Sequence, residues 1–310
     1  MNPSPKLPHP LKQKAKPNPM SNFYEGRIFR PPSEANSLIV QSTIGCSHNG
    51  CAFCQMYREK RFRIRPVEDV AGDLTTARRF SGAISRLFFA DGDAFIRPAG
   101  EQLLLLAQVK RIFPECQRVS MYASPKSILV KTEEELRSIR QAGAELLYLG
   151  LESGDEALLR AVNKGATVEE IVRSANRAKS AGFRLSVTAI SGLGGPDGSV
   201  AHAEGTARAV SRMKPDYFSL LTLMLEPGSP LYENARAGRF TPLSPAEVLR
   251  ETRRFLALVN SEGTVFRSNH ASNYLNLKGT LNGDRDAMLC RIDQALSGAA
   301  PIRGESWRRL

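Results

Sequence analysis

The sequence predicts an α/β fold, built as a partial (β/α)6 TIM-like barrel of parallel strands with a C-terminal extension. Three observations carry this expectation. Short apolar, β-branched runs alternate with longer helical patterns six times between Ser37 and Ser261, and parallel strands need such crossover helices between them. The strands are apolar throughout, as in Leu146–Leu151 (LLYLGL), which suits a sheet covered on both faces. The turn after the first strand holds cysteines, where a doubly wound open sheet, the runner-up architecture, would carry a glycine-rich phosphate loop.

Taken in order, Ser37–Thr43 reads as the first strand and Val67–Phe80 as the first helix. Arg86–Ala90 is the second strand, followed by a helix over Gly100–Phe113. Arg118–Tyr122 is the third. The helix Thr132–Ala142 opens on a capping box, Thr132 with Glu135, and stops at Gly143. Leu146–Leu151 is the fourth strand, with helices at Asp155–Val162 and Val168–Ser180. Arg184–Ile190 and Tyr217–Met224 are the fifth and sixth, with helices near Val200–Met213 and over Pro245–Ser261.

The chain has 310 residues, 42% hydrophobic and 24% charged, enough for a large globular core. No run approaches the roughly 18 apolar residues of a membrane span. Residues 1–20 hold six prolines, four lysines and no acid, without the apolar stretch of a secretory signal. Residues 1–25 therefore read as a disordered basic arm. Residues 26–240 read as the barrel, and 241–310 as a helix and loop extension covering its mouth, in a cytoplasmic protein. The last ten residues read as a second loose, basic end. The net charge of +12 sits largely in these two ends and in Arg58–Arg65 (REKRFRIR). It does not by itself call for a nucleic-acid partner.

Five cysteines is an odd count in a chain without an export signal, which argues against a disulfide framework. Cys46, Cys51 and Cys54 fall within nine residues after the first strand, spaced C-x4-C-x2-C. That spacing admits packed thiols, a zinc site completed by His48, or an iron–sulfur cluster with three protein ligands and one open iron. The zinc reading goes with a nucleic-acid-binding protein that uses the arm and Arg58–Arg65. Cys116 and Cys290 stand apart as bystanders.

In a parallel barrel the ligand-binding segments gather after the C-terminal ends of strands, and the unusual residues here do so. Ala90-Asp91-Gly92-Asp93 follows the second strand and Tyr122-Ala123-Ser124-Pro125 ends the third. Gly150-Leu151-Glu152-Ser153-Gly154, running on to Asn163-Lys164-Gly165, follows the fourth. Ala189 to Gly195 follows the fifth, and Leu225 to Leu231 the sixth. Beyond the core, Arg267, Asn269, His270, Asn273 and Lys278 set several donors in a short loop region, a candidate substrate flap.

On these motifs, from about Ser37 to Leu231, the chain resembles the radical SAM superfamily, in the branch of oxygen-independent coproporphyrinogen oxidases and Elongator-type proteins. Its cysteine loop is one residue longer than the usual C-x3-C-x2-C. The resemblance implies a [4Fe–4S] cluster on Cys46, Cys51 and Cys54 whose open iron chelates S-adenosylmethionine (SAM). Reductive cleavage then gives methionine and a 5′-deoxyadenosyl radical, which abstracts hydrogen from an unidentified substrate. The resemblance further implies Phe53 against the adenine and Asp91, Gly92 and Asp93 at the methionyl amine. Glu152 would meet the ribose hydroxyls, Lys164 the methionyl carboxylate, and Ile190 the adenine side. Tyr122, where relatives carry a glutamate, and His270 are the candidate catalytic residues. An acidic electron donor of flavodoxin or ferredoxin type is the expected partner. No second cysteine cluster and no room for a separate RNA-binding or cobalamin-binding domain are apparent. A non-catalytic relative that carries haem or a cluster is the remaining alternative.

Overall fold

The computed structural model describes residues 24–309, so the predicted arm falls almost wholly outside the described residues. The chain forms β1 (Leu38–Gln41), β2 (Thr43–Ile44), β3 (Arg63–Ile64), α1 (Val67–Phe80), β4 (Arg86–Ala90), α2 (Ala99–Ile112) and β5 (Arg118–Ala123). It continues with α3 (Pro125–Leu129), α4 (Glu133–Gln141), β6 (Ala144–Glu152), α5 (Glu156–Ala161), α6 (Val168–Ser180) and β7 (Arg184–Ser191). The remainder is α7 (Gly195–Met213), β8 (Tyr217–Thr222), α8 (Pro230–Arg236), α9 (Pro245–Leu258), β9 (Val265–Ser268), β10 (Leu277–Thr280) and α10 (Arg285–Leu296).

Helix starts follow the capping chemistry in the sequence. Thr132, Thr167 and Ser244 each accept from the backbone three residues on, while Glu135, Glu170 and Glu247 reach back to the cap N–H. Each box satisfies two backbone donors that a helix cannot pair internally.

The main sheet runs β1-β4-β5-β6-β7-β8-β9-β10. All neighbours are parallel except the last pair, β9 with β10. The order never reverses, so the sheet has no switch point of the doubly wound kind, and among the described residues its two ends stay unpaired, as in an open partial barrel. Alternation divides the side chains between two faces. Leu87, Phe89, Leu147, Leu149, Val187 and Phe218 pack outward in the core shared with the helices. Ile39, Phe88, Ala90, Leu146 and Tyr148 form a second cluster on the inner face, with Tyr122 and Tyr217 against it. A fully buried leucine or phenylalanine contributes roughly 1.5–3 kcal/mol, so the outer core dominates stability and leaves the inner face available for ligands.

Four sequence expectations need correction. The first strand breaks at Ser42, because its N–H turns to the Ala90 carbonyl and its own carbonyl accepts from Arg65; Thr43 and Ile44 then pair antiparallel with β3. The six expected strands are joined by β9 and β10, four-residue strands too polar to read as apolar runs. The C-terminal end is bound rather than loose. The buried Arg308 guanidinium donates to the Ser272 and Leu223 carbonyls, pairs with Glu305 and lies 4.2 Å over the Tyr274 ring. Arg303 donates to the carbonyls of His270, Ala271 and Asn273. The predicted arm boundary at 25 also runs long, since Tyr24 donates its hydroxyl to the Ile39 carbonyl and the Glu25 N–H goes to Gln41.

Candidate cofactor site

The cysteine loop leaves β2 through Gly45, in the left-handed region at φ 75°, and returns to β3. Cys46, Cys51 and Cys54 are free, partly buried thiols. Arg58 fixes the loop by donating to the carbonyls of Cys51 (2.7 Å) and Cys54 (3.1 Å). Asn49 bridges its two arms through the Tyr57 carbonyl at 2.8 Å. His48 donates from Nε2 to the Asn163 carbonyl at 2.6 Å, and Asn163 Nδ2 donates back to Gly50 at 3.0 Å. The longer loop thus latches onto the turn that carries Lys164. Burial pushes the Cys51 thiol up to about 12 and raises Cys54. Among the described residues, no three His, Cys, Asp or Glu side chains stand close enough to hold a single metal ion. With His48 engaged by Asn163, the four-ligand zinc site is not assembled.

The sequence set Asp91 and Asp93 at the cofactor, yet their side chains bind protein. Asp91 Oδ2 accepts from Gly45 N (3.0 Å), Gln41 (3.1 Å) and Lys60 (2.8 Å). Asp93 accepts from Ser47 (2.5 Å) and from the backbone and hydroxyl of Ser124 (3.0 and 2.8 Å). Burial raises the Asp93 carboxyl, against the opposing pull of those serines. Gly92 lies against the loop, where a Cβ would stand 3.0 Å from Cys46 Cβ and 2.6 Å from the Tyr57 ring. Around this loop Asp91 Oδ1, Tyr57 OH and Gln55 Oε1 are buried without a hydrogen-bond partner. Leaving one such atom unpaired costs about 1–3 kcal/mol. Crowded thiols and orphaned acceptors fit a site completed by a bound group.

Across the loop, Glu152 and Lys164 pair at 2.7 Å, both 13% exposed. Glu152 sits in the left-handed region at φ 61°, turning its carboxylate back over Gly150, where a Cβ would stand 2.9 Å from Lys164 Nζ. Burial works against the Lys164 charge, but Glu152 and the neighbouring Cys51 raise its pKa on balance. Phe53 and Ile190 meet in one apolar cluster with Leu193 and Leu231. Tyr122 lies edge-on between Phe88 and Tyr148, at 5.1 and 6.0 Å between centroids. Burial raises its phenol.

His270 lies beyond the C-terminal end of β9. Its Nδ1 accepts from the Ser272 N–H at 3.1 Å, and burial with Arg303 nearby lowers its pKa. Asn273 of the same loop is spent on Leu220 and Thr222. Most of the basic run behind the cysteines is held internally, Arg61 excepted. Besides Arg58 on the loop carbonyls, Lys60 pairs with Asp91, Arg63 with Glu25 and Arg65 with Asp73.

Sequence reasoning missed a buried polar chain behind the Glu152 turn. Ser153 Oγ accepts from Asp155 N (3.0 Å) and lies 2.8 Å from His202 Nδ1. His202 Nε2 faces Glu251 at 3.7 Å, both side chains 2% exposed. Glu251 in turn accepts from Gly192 N (2.8 Å) and Ser199 (2.7 Å). The chain joins the loop after β6 to the loop after β7. Its only signal in the sequence is one histidine and one glutamate on otherwise apolar helix faces. Burial lowers His202 to about 4, so it is neutral at pH 7 and shares one hydrogen bond with the Ser153 hydroxyl at Nδ1. Burial raises Glu251 from 4.5 to about 7, against the bonds from Ser199 and Gly192. An acid with a raised folded pKa holds its proton more tightly when folded, so its stabilising contribution is present below its unfolded pKa and lost as pH rises through the folded one. Glu251→Gln is therefore expected to gain roughly 2–3 kcal/mol relative to the parent between about pH 5 and about pH 8, read from urea midpoints.

Residues 40–209 match the Radical SAM superfamily. An uncharacterized methyltransferase of Pyrococcus horikoshii is 25% identical over 201 residues, 64% of this chain and 42% of that protein. The heme chaperone HemW of Bacillus subtilis is 20% identical over 201 residues, 63% of this chain and 52% of that protein. The chain thus spans about half the length of these relatives, or less. Coproporphyrinogen III oxidase (HemN) from Escherichia coli shares the fold, with a TM-score of 0.53 and 21% identity over 71% of this chain and 52% of that one. Members of the superfamily bind a [4Fe–4S] cluster and SAM. With the match covering more than half of its length, this chain belongs to the Radical SAM superfamily.

Proposed function

We propose that the protein is an enzyme that cleaves SAM reductively and starts its chemistry by abstracting hydrogen from a substrate on the inner face of the sheet. The observation that carries this reading is the meeting of Cys46, Cys51 and Cys54 with the buried Glu152–Lys164 pair at the C-terminal strand ends. The three thiolates would hold the cluster, which when bound supplies the electron for SAM cleavage. Lys164 suits the methionyl carboxylate as a fixed charge, and Glu152 offers acceptors to ribose hydroxyls. Phe53 and Ile190 give an apolar wall for the adenine. The backbone carbonyls of Ala90 to Asp93 would accept from the methionyl amine, with the unpartnered Asp91 Oδ1 beside them. Tyr122, whose hydroxyl has no partner among the described residues, would face substrate, and His270 would act from the extension. An acidic electron donor would serve it in the cytoplasm.

Anaerobic reconstitution is expected to load roughly four irons per chain, with 5′-deoxyadenosine released under dithionite. Uptake of a single zinc with no cleavage of SAM would overturn the reading. A haem-carrying or cluster-carrying relative without turnover would bind its cofactor in the same assay and release no deoxyadenosine.

A further inference from the structure

We infer that the substrate of this site carries an anionic group, a carboxylate or a phosphate, held by Arg267 and Lys278 on the inner face of the sheet. The inference rests on the functional reading above and adds the substrate's chemical class.

The register places one row of residues side by side across the sheet. Gly150 pairs with Thr188, Thr188 with Ser219, Ser219 with Arg267, and Arg267 with Lys278. Residues aligned this way share a face, and that face is the inner one. The alternate residues Phe218 and Phe266 pack outward against Phe255 of α9, with centroids 5.1 and 6.2 Å from its ring. The row begins at Gly150, directly beneath the Glu152–Lys164 pair, and ends at the open edge of the sheet. Everything on it beyond Gly150 is a hydrogen-bond donor. Among the described residues, the Thr188 and Ser219 hydroxyls have no partner.

The row ends in two cations on neighbouring strands. Arg267 and Lys278 lie directly opposite one another and both are exposed. Like charges so placed destabilise a sheet. Among the described residues neither has a carboxylate within ion-pair distance. Glu152, at the other end of the row, is taken by Lys164, and Asp284, which lines the same surface pocket as Arg267 and Lys278, accepts from the Thr280 N–H at 2.7 Å. Strands lie about 4.8 Å apart, so Arg267 is roughly 14 Å across the sheet from Gly150. A ligand that reaches from the cysteine side to the cation pair is an elongated molecule. Its uncharged body would cross Thr188 and Ser219, and its negative end would neutralise the pair.

The test is isothermal titration of reconstituted protein, with and without SAM, using inorganic pyrophosphate and tricarballylate as separate probes. At least one is expected to bind the parent and to lose tenfold or more in affinity in the double variant Arg267→Gln, Lys278→Gln. Iron content and SAM affinity should be unchanged. Whichever probe is retained by the parent distinguishes phosphate from carboxylate recognition. Binding within threefold in parent and double variant, no binding of either probe at millimolar concentration, or binding of a 20-nucleotide RNA alone would overturn the inference. A protein that never binds SAM yet loses probe binding in the double variant would overturn the functional reading and leave the anion site standing.

Discussion

Replacing Cys54 by alanine is expected to abolish cluster retention and to lower 5′-deoxyadenosine formation by at least about 100-fold, because a three-thiolate cluster has no spare protein ligand. Cys46→Ala and Cys51→Ala should behave alike. Cys116 lies just before β5, at the opposite end of the strands from the loop, and Cys290 is exposed on α10. Cys116→Ser and Cys290→Ser should therefore load iron and cleave SAM within twofold of the parent, measured by iron assay and product chromatography. The contrast carries the test. If Cys116→Ser loses the cluster and Cys54→Ala keeps it, the assigned ligand set is wrong. Retained far-UV circular dichroism in Cys54→Ala would separate loss of the cluster from loss of the fold, whose core lies on the helix side of the sheet.

The second large effect is expected at Gly154. A Cβ added there would overlap the backbone carbonyl of Gly205, and one added at Gly205 would overlap that of Gly154. Both obstacles are main chain, so no side-chain rotation relieves them. Overpacking a core usually costs about 1–3 kcal/mol; with no way to relax, Gly154→Ala should lie at or above the top of that range. The contact also places the Glu152 turn against α7, reinforced by Gly154 N donating to Thr206 at 3.0 Å. Displacing the turn should therefore weaken SAM binding by roughly tenfold or more even where the variant still folds. Thermal melting and SAM titration together check this. An unchanged melting temperature with unchanged SAM affinity would refute the close-packing account.

Much of this fold is legible in the sequence. The apolar runs at Arg86–Ala90 and the helices Val67–Phe80 and Val168–Ser180 form with the expected bounds, because burial and capping there agree with local pattern. The cysteine loop and the Glu152–Lys164 segment were legible because glycine, cysteine and charge fall after strands, where a core has no use for them. What escaped detection was held by partners distant in sequence. The strands β9 and β10 are short and polar, and their place depends on β8 and on one another. The C-terminal cations read as loose because nothing near them shows that Arg308 reaches the Leu223 carbonyl, 85 residues away. The side-chain partners of Asp91 and Asp93 come from other loops, so no local pattern shows them. The Ser153–His202–Glu251 chain draws its members from three elements, and no spacing rule joins them.

The order of the strands also bears on how the site comes to exist in the cell. Neighbours in the sheet are neighbours in the chain, so each new strand finds its docking edge already built as synthesis proceeds. The cysteine loop is complete once Cys54 has been made, whereas Asn163, onto which His48 fastens it, and the neighbouring Lys164 emerge much later. During that interval the thiols stand beside a partly built sheet with their far wall absent. Cluster delivery to the nascent or unlatched chain, before the Lys164 turn docks, would meet the least obstruction, and closure of the His48 contact would then seal the loaded loop.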